Sequence, residues 1–188
     1  MSDARLSLKD RMTLVAEIVR DAGGTIVGRT RLQKSVFLLS LAGFEQPFRF
    51  GYKHYGPFSE SLADAVDLAV AFDLISEELR PNSWGGTYSI YSVKDTTETE
   101  TETETETKKE RDARVRLLQE AAGSNPILLE LAATAGYLSK EESSKEPWAK
   151  TARLKPDKSA DGRLEFAKNL YLRLRAASDG ALPEIGSA

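Results

Sequence analysis

Residues 74–93 read LISEELRPNSWGGTYSIYSV, and this stretch decides the fold. Its first run, to Leu79, and its second run, from Thr87, are typical of strands, while the Pro, Asn and Gly residues between them favour a turn. We therefore predict a β-hairpin. Three predicted helices precede it, and three helices followed by a hairpin is the order of a winged helix. The predicted fold is mainly α with a small β-hairpin.

The three preceding helices are predicted from apolar residues that recur at steps of three and four. In the first helix this stripe consists of Leu8, Met12, Val15, Val19 and Ala22. Gly23 ends the first helix, Thr30 can cap the second, and Gly43 ends the second. Ser59 can cap the third helix, which runs to about Leu74.

An aromatic segment lies between the second and third helices. In residues 48–55 aromatic and polar side chains alternate, which predicts a short strand or extended segment with its aromatic residues on one side. Gly56 and Pro57 follow, and this pair is predicted to break the strand.

An acidic run divides the chain. Residues 1–94 have a net charge of 0, residues 95–107 of −6 and residues 108–188 of +3. Threonine and glutamate alternate in residues 96–107, and as a strand this run would align five glutamates with no apolar face opposite them. We therefore predict a disordered Thr/Glu linker at 95–107, with docking of the acidic strip on a basic partner as the alternative.

The part after the linker is predicted to be helical, with helices at 108–122, 126–139 and 162–177. Asn125 precedes a proline at a helix start, and Asp161 can cap the last helix. We interpret residues 140–160 as a loop with one buried aromatic anchor and expect the tail after Ser178 to fray.

Composition excludes several function classes. The chain has 188 residues, no cysteine and a single histidine, His54, so it has no thiolate nucleophile, thiolate zinc site or two-histidine metal site. Its glycines match no phosphate-binding loop, and no GxSxG motif supports catalysis by His54 and Ser59. We predict no catalytic residues, metal or cofactor. The absence of a signal peptide or spanning helix predicts a cytoplasmic protein without a membrane partner.

Three stretches resemble a known family in their order: GRTRLQKSVFLL at 28–39, FGYKHYGPFSESL at 50–62 and FDLI at 72–75. Together they resemble the SocA-like antitoxin (Panacea) domain superfamily, especially its YwgA-like branch. A weaker echo continues through residues 129–138 and 154–156. The resemblance implies a winged-helix-like fold and a role beside a toxin or in a mobile-element or phage-defence locus. The Thr/Glu run departs from the family pattern.

A basic patch is predicted at the start of the second helix. Arg29, Arg31 and Lys34 lie within one and a half turns, and Lys53 and His54 follow close by in sequence. Such a patch suits DNA phosphates or an acidic protein surface, and solvated helix charges without a ligand are the third interpretation.

The third helix favours a protein partner over DNA. It contains Glu60, Asp64, Asp67 and Asp73 and no lysine or arginine over residues 59–74. In a winged helix this element normally enters the major groove, where phosphate would repel its carboxylates and where arginine or lysine makes the commonest specific base contact.

Four aromatic residues could form an exposed hot spot, since aromatics are enriched at the centres of protein interfaces. They are Tyr52, Tyr55, Phe58 and Trp84. Core packing is the alternative for Tyr52 and Phe58. Trp84, among turn residues at the hairpin tip, is the best surface candidate.

The sequence thus predicts a winged-helix-like domain at 7–94, a linker at 95–107 and a C-terminal helical segment at 108–178. The C-terminal segment either packs back on the first domain or forms a homodimer. We expect a non-enzymatic interaction protein, antitoxin-like or associated with phage defence, that contacts a protein such as a toxin or defence effector. The partner-binding residues would be Arg29, Arg31, Lys34, Lys53, His54, Tyr55 and Trp84. The alternative is a DNA-binding transcriptional regulator that uses the second helix and the hairpin.

Overall fold

Side-chain caps start four helices, and they belong to the residue types that accept hydrogen bonds from free backbone N–H groups. They are Ser7, Ser59, Thr107 and Asn125. Of the three predicted caps, the one at Ser59 is confirmed, and Asn125 precedes the proline that starts its helix as predicted. The second helix instead starts after Gly28, and the last after Gly162, so Thr30 and Asp161 are not caps. Both Gly28 and Gly162 have positive φ angles, which glycine adopts without strain.

A computed structural model describes residues 7–44, 46–93 and 106–186. In chain order, the helices and strands of these residues are α1 (Leu8–Asp21), β1 (Thr25–Val27), α2 (Arg29–Leu41), β2 (Gly51–Lys53), β3 (Gly56–Phe58), α3 (Glu60–Ala71), β4 (Ile75–Pro81), β5 (Thr87–Val93), α4 (Lys108–Gly123), α5 (Pro126–Lys140), α6 (Pro147–Leu154), α7 (Pro156–Ser159) and α8 (Arg163–Ala177). The fold is mainly helical with small antiparallel sheets, as predicted.

The predicted hairpin forms the larger part of a three-stranded antiparallel sheet. β4 pairs with β5, and β5 also pairs with β1, which gives the order β1-β5-β4. Ile26 and Tyr91 lie opposite each other and are buried on the face that packs on the helices. Strand β1 was not predicted, because three residues are too few to show an alternating pattern.

A second hairpin replaces the predicted strand break at Gly56 and Pro57. β2 pairs with β3, with Lys53 opposite Gly56, so His54 and Tyr55 form the turn. Gly56 has a φ of +81°, and a Cβ atom there would lie 2.7 Å from the side-chain oxygen of Thr134 on α5. The glycine thus lets the hairpin approach α5 closely.

The C-terminal helices pack on the N-terminal part in one hydrophobic core. α2 contacts both α4 and α5, and α5 also contacts α8. Leu38 of α2, Leu117 of α4 and Leu131 of α5 are fully buried in this core. Of the two predicted arrangements for residues 108–178, the structure has the one in which they pack back on the first part.

Two predictions for the C-terminal part need correction. The expected loop at 140–160 contains helices α6 and α7, although Trp148 is its buried aromatic anchor as predicted. The tail after Ser178 is ordered over its described residues, because Leu182 is fully buried and the hydroxyl of Tyr171 donates to the carbonyl of Pro183 at 2.9 Å. Burial of Leu182 and the hydrogen bond from Tyr171 thus order the tail, which the sequence predicts to fray.

Most of the predicted linker, residues 95–105, lies outside the described residues, and so does Lys94. The last two residues of the linker belong to the start of α4. Thr107 is the N-cap and forms a capping box with Glu110, while Glu106 pairs with Arg114 at 2.9 Å. Arg114 also pairs with Asp21 at the end of α1, so this junction ties α4 to the N-terminal part. No helix of the described ranges is long and apolar enough to cross a membrane.

Candidate functional site

Lys34 points into the protein, which corrects its place in an exposed basic patch. It is 1% exposed, and its Nζ donates to the carbonyl of Pro57 on β3 at 2.7 Å. Burial lowers the pKa of Lys34 to about 8. On α2 this residue faces the β2–β3 hairpin, so the lysine holds the hairpin and is closed to an outside partner.

The two arginines of the predicted patch also have partners within the chain. Arg31 donates to the carbonyls of Val27 at 2.7 Å and Ser124 at 2.8 Å, and burial lowers its pKa. Arg29 is exposed, yet it donates to the hydroxyl of Tyr91 at 3.1 Å and pairs with Glu77 at 3.3 Å. The hydrogen bond to Tyr91 is the main cause that raises the pKa of Arg29. Arg31 and Lys34 are therefore structural ties, whereas Arg29 stays exposed, so the three cations do not form one solvated patch.

A buried carboxylate pairs with two lysines and lies within charge-interaction range of Lys34. Glu130 on α5 is 3% exposed, and it accepts from Lys155 at 2.7 Å and from Lys158 at 2.6 Å. Lys155 also donates to the carbonyl of His54 at 3.1 Å. We call Lys34, Glu130, Lys155 and Lys158 the lysine cluster. It joins α2, α5 and α7 to the β2–β3 hairpin.

The predicted residues Lys53, His54 and Tyr55 lie together at the exposed end of this hairpin. The rings of His54 and Tyr55 meet edge to face at 5.1 Å, and the ammonium of Lys158 lies 4.8 Å from the centre of the Tyr55 ring. Lys53 pairs with Glu60 at the start of α3, and its ammonium lies 4.7 Å from the centre of the Phe58 ring. These contacts hold the hairpin end in one conformation through cation–π and ring contacts.

Gln33 forms a second tie between α2 and the following segment. Its amide nitrogen donates to the carbonyl of Ser59 at 3.0 Å, and its amide oxygen accepts from the backbone N–H of Ser59 at 2.9 Å. The Ser59 hydroxyl accepts from the N–H of Leu62 as the cap of α3. Ser59 is thus 1% exposed and serves as a helix cap, a role that leaves it closed to an outside substrate.

Helix α3 presents its carboxylates to solvent, as the sequence predicts. Glu60, Asp64 and Asp67 are all exposed and lie at steps of four and three on one face. The opposite face contributes Leu62 and Val66 to the core. The amphipathic pattern of this helix therefore fixes an acidic outer surface.

The tip of the β4–β5 hairpin exposes the residue that the sequence singled out. Trp84 is 91% exposed, and Leu79 and Tyr88 on the adjoining strands are also exposed. The side-chain oxygen of Asn82 accepts from the N–H groups of Trp84 and Gly86 at 3.0 and 2.9 Å, which shapes the turn. Because it is so exposed, Trp84 does not pack on the aromatic residues of the β2–β3 hairpin.

The predicted four-residue hot spot is therefore divided. Tyr55 is 57% exposed and Tyr52 is 37% exposed, and the Tyr52 ring lies 5.7 Å from the ring of Tyr137 on α5. Phe58 is half-buried beneath Lys53. Within the described ranges, no group of three or more histidine, cysteine, aspartate or glutamate residues is arranged to hold a metal ion.

Sequence reasoning missed Gln33 and the other three residues of the lysine cluster, which are Glu130, Lys155 and Lys158. A signal was present for Glu130, which is the lone charge in the apolar run PILLELAATAGYL of α5. A single carboxylate within such a run implies a buried and paired charge. The lysines that pair with it come from a segment that reads as a polar loop, so their identity needs the tertiary structure.

No protein-family model matches this sequence, and no curated protein matches it significantly. The resemblance to SocA-like antitoxin proteins therefore stays a prediction. Among the residues that carry the resemblance, Gln33, Lys34, Pro57 and Ser59 do have a common place in the structure. They join α2 to the β2–β3 hairpin and to the start of α3.

Proposed function

We propose that this chain is a winged-helix-like, non-enzymatic interaction protein that binds a protein partner in an antitoxin-like or phage-defence role. The observation that carries the proposal is the outer face of α3, where Glu60, Asp64 and Asp67 are exposed. The winged-helix part is supported by the element order and by the strand order β1-β5-β4, which puts the first strand beside the last.

Electrostatics favours a protein over DNA at this face. A helix that enters a groove passes between rows of phosphates. α3 itself has no lysine or arginine, Asp64 and Asp67 are exposed, and Glu60 pairs with Lys53 of β2. A partner surface with lysine or arginine side chains complements the same carboxylates.

The β4–β5 hairpin adds an exposed apolar side chain. β4 follows α3 in the chain and contacts it, and Trp84 lies at the far end of the hairpin, where it is 91% exposed. An exposed tryptophan on a defined turn loses little conformational freedom on binding and buries a large area, which is why tryptophan is enriched among interface hot spots. The acidic face and Trp84 together support one interaction surface.

The DNA-binding alternative required the second helix to contact phosphates. Its three cations have acceptors within the protein, and Lys34 is buried. No observation on α2 favours this alternative, so we favour a protein partner.

Site-specific photo-crosslinking in the native host tests the proposal. A benzoylphenylalanine is placed at position 84 or 64, and at the exposed position 169 on α8 as the control. We expect positions 84 and 64 to crosslink the same protein and position 169 not to. Adding Asp64→Lys and Asp67→Lys to the position-84 protein should abolish the crosslink. Equal crosslinks at all three positions, or crosslinks to nucleic acid, would overturn the proposal.

A further inference from the structure

A cavity opens between the C-terminal ends of α2 and α5 and the segment before β2. Its volume is about 330 Å³, which is at the lower end of the range for small-molecule sites. It lies where the N-terminal and C-terminal parts of the chain meet, away from the α3 face, so a ligand site there is independent of the proposed function.

Aromatic rings form the floor of the cavity. Phe37 and Phe48 are buried, and the Phe37 ring meets Phe50 edge to face at 5.4 Å and Tyr137 at 6.1 Å. Since each ring is held by its neighbours, the floor is preformed. Aromatic groups prefer edge-to-face and offset contacts with such rings, so the floor suits a flat ring.

The rim carries charges of both signs. Arg49, Lys140 and Glu141 line it, and all three are exposed. In the parts of the chain that the structure describes, none of them has an ion-pair partner. The carbonyl groups at the end of α5 add partial negative charge beside Glu141. The rim therefore offers Arg49 and Lys140 to a ligand carboxylate. It offers Glu141 and the C-terminal end of α5 to a ligand ammonium group.

We propose that this cavity binds a small aromatic zwitterion, which is the chemistry of a free aromatic amino acid. The ring lies on the Phe37 and Phe48 floor, the ligand carboxylate pairs with Arg49 and Lys140, and its ammonium group pairs with Glu141. A ligand with one charge alone leaves part of the rim without a partner. A few polar groups that orient a ligand above an apolar floor are the usual composition of such sites.

Three matched probes test the charge requirement by isothermal titration and by NMR: L-phenylalanine, 3-phenylpropionate, which lacks the ammonium group, and 2-phenylethylamine, which lacks the carboxylate. We expect L-phenylalanine to bind about tenfold tighter than either relative, because each loses charge-assisted hydrogen bonds. Its binding should shift NMR signals of Phe37 and Tyr137.

Charge reversal at the rim completes the test. Arg49→Glu should weaken L-phenylalanine binding about tenfold, and so should Glu141→Lys. Lys109→Glu on α4 is the matched control and should leave affinity unchanged, since Lys109 is exposed and does not line the cavity. Equal affinity for the three probes, no saturation at about 10 mM L-phenylalanine, or insensitivity to both rim variants would overturn the inference.

Discussion

The ammonium group of Lys155 lies 2.7 Å from a carboxylate oxygen of Glu130, and both side chains are buried although 24 residues separate them in the chain. Lys155 also donates to the backbone carbonyl of His54. One pair thus fixes the start of α7 to α5 and to the β2–β3 hairpin. The lysine cluster is the polar centre of the contact between the two parts of the protein.

Glu130→Gln should destabilise the protein by about 3 to 5 kcal/mol, because it removes the counter-charge that pairs with Lys155 and Lys158 and the negative charge nearest Lys34. Urea unfolding monitored by circular dichroism measures this change. Glu165→Gln is the control, since Glu165 pairs with Lys168 on the surface of α8, and it should cost under about 1 kcal/mol. A loss below about 1 kcal/mol for Glu130→Gln would contradict the role of the cluster.

Lys34 should make stability depend on pH. Its folded pKa is about 8, below the ordinary value of 10.5, so between these values the unfolded chain binds more protons than the folded protein. Stability from this group therefore rises with pH through the window, by roughly 2 to 3 kcal/mol between pH 7 and pH 10.

Burial also raises the pKa of Tyr52, Tyr91 and Tyr171, and these tyrosines lower stability as the pH rises towards 10. Because this contribution is present in both proteins, the difference in stability between wild type and Lys34→Met isolates the effect of Lys34. Urea unfolding at pH 7, 8.5 and 10 measures it. We expect the stability of wild type to gain on that of Lys34→Met as the pH rises. A constant difference at all three pH values would mean that Lys34 keeps its ordinary pKa.

Gly56→Ala should destabilise the protein by about 2 to 3 kcal/mol. Alanine is strained at a φ of +81°, and its Cβ would meet the hydroxyl of Thr134 on α5. Gly51→Ala in β2 is the matched control, because Gly51 has an ordinary φ and open space around it, and it should change stability by less than about 0.5 kcal/mol. Thermal unfolding compares the two variants, and equal effects would count against the close approach of the hairpin to α5.

Trp84→Ala should leave the free energy of unfolding within about 0.5 kcal/mol of wild type, because the side chain is 91% exposed. It should weaken binding of the partner found by crosslinking by at least about tenfold, as expected for an aromatic interface anchor. Trp148→Ala is the contrasting variant, with a stability loss of about 3 to 5 kcal/mol from the core. Unchanged partner affinity in Trp84→Ala would remove Trp84 from the interaction surface.

Local signals were sufficient for much of the fold. The apolar stripe of α1, the cap at Ser59, the helix start after Asn125 and the β4–β5 hairpin all follow from neighbouring residues, and each is confirmed. Strand β1 and strand β3 were missed, because three residues give no periodic pattern and their partners lie elsewhere in the chain or across a tight turn. Helix α6 was missed because its eight residues make only about two turns, too few to show an apolar stripe.

The candidate site was predicted only where exposure follows from local sequence. Trp84 and the α3 carboxylates are exposed as expected, since a turn and an amphipathic helix fix their direction. The prediction that Lys34 belongs to an exposed basic patch is wrong, because its burial depends on residues distant in the sequence. Charge alone suggested that Lys34 faces solvent, but a buried lysine is stable when a distant carboxylate and a free carbonyl surround it, and no local pattern reveals such partners.

The proposed function requires α3 to be a protein-binding surface that excludes DNA. Fluorescence anisotropy of a labelled 20-base-pair duplex, titrated with wild-type protein at about 50 mM and 200 mM salt, tests it most directly. We predict no saturable binding at either salt concentration. Tight binding at low salt that weakens steeply at high salt, and that Arg29→Glu abolishes, would contradict it.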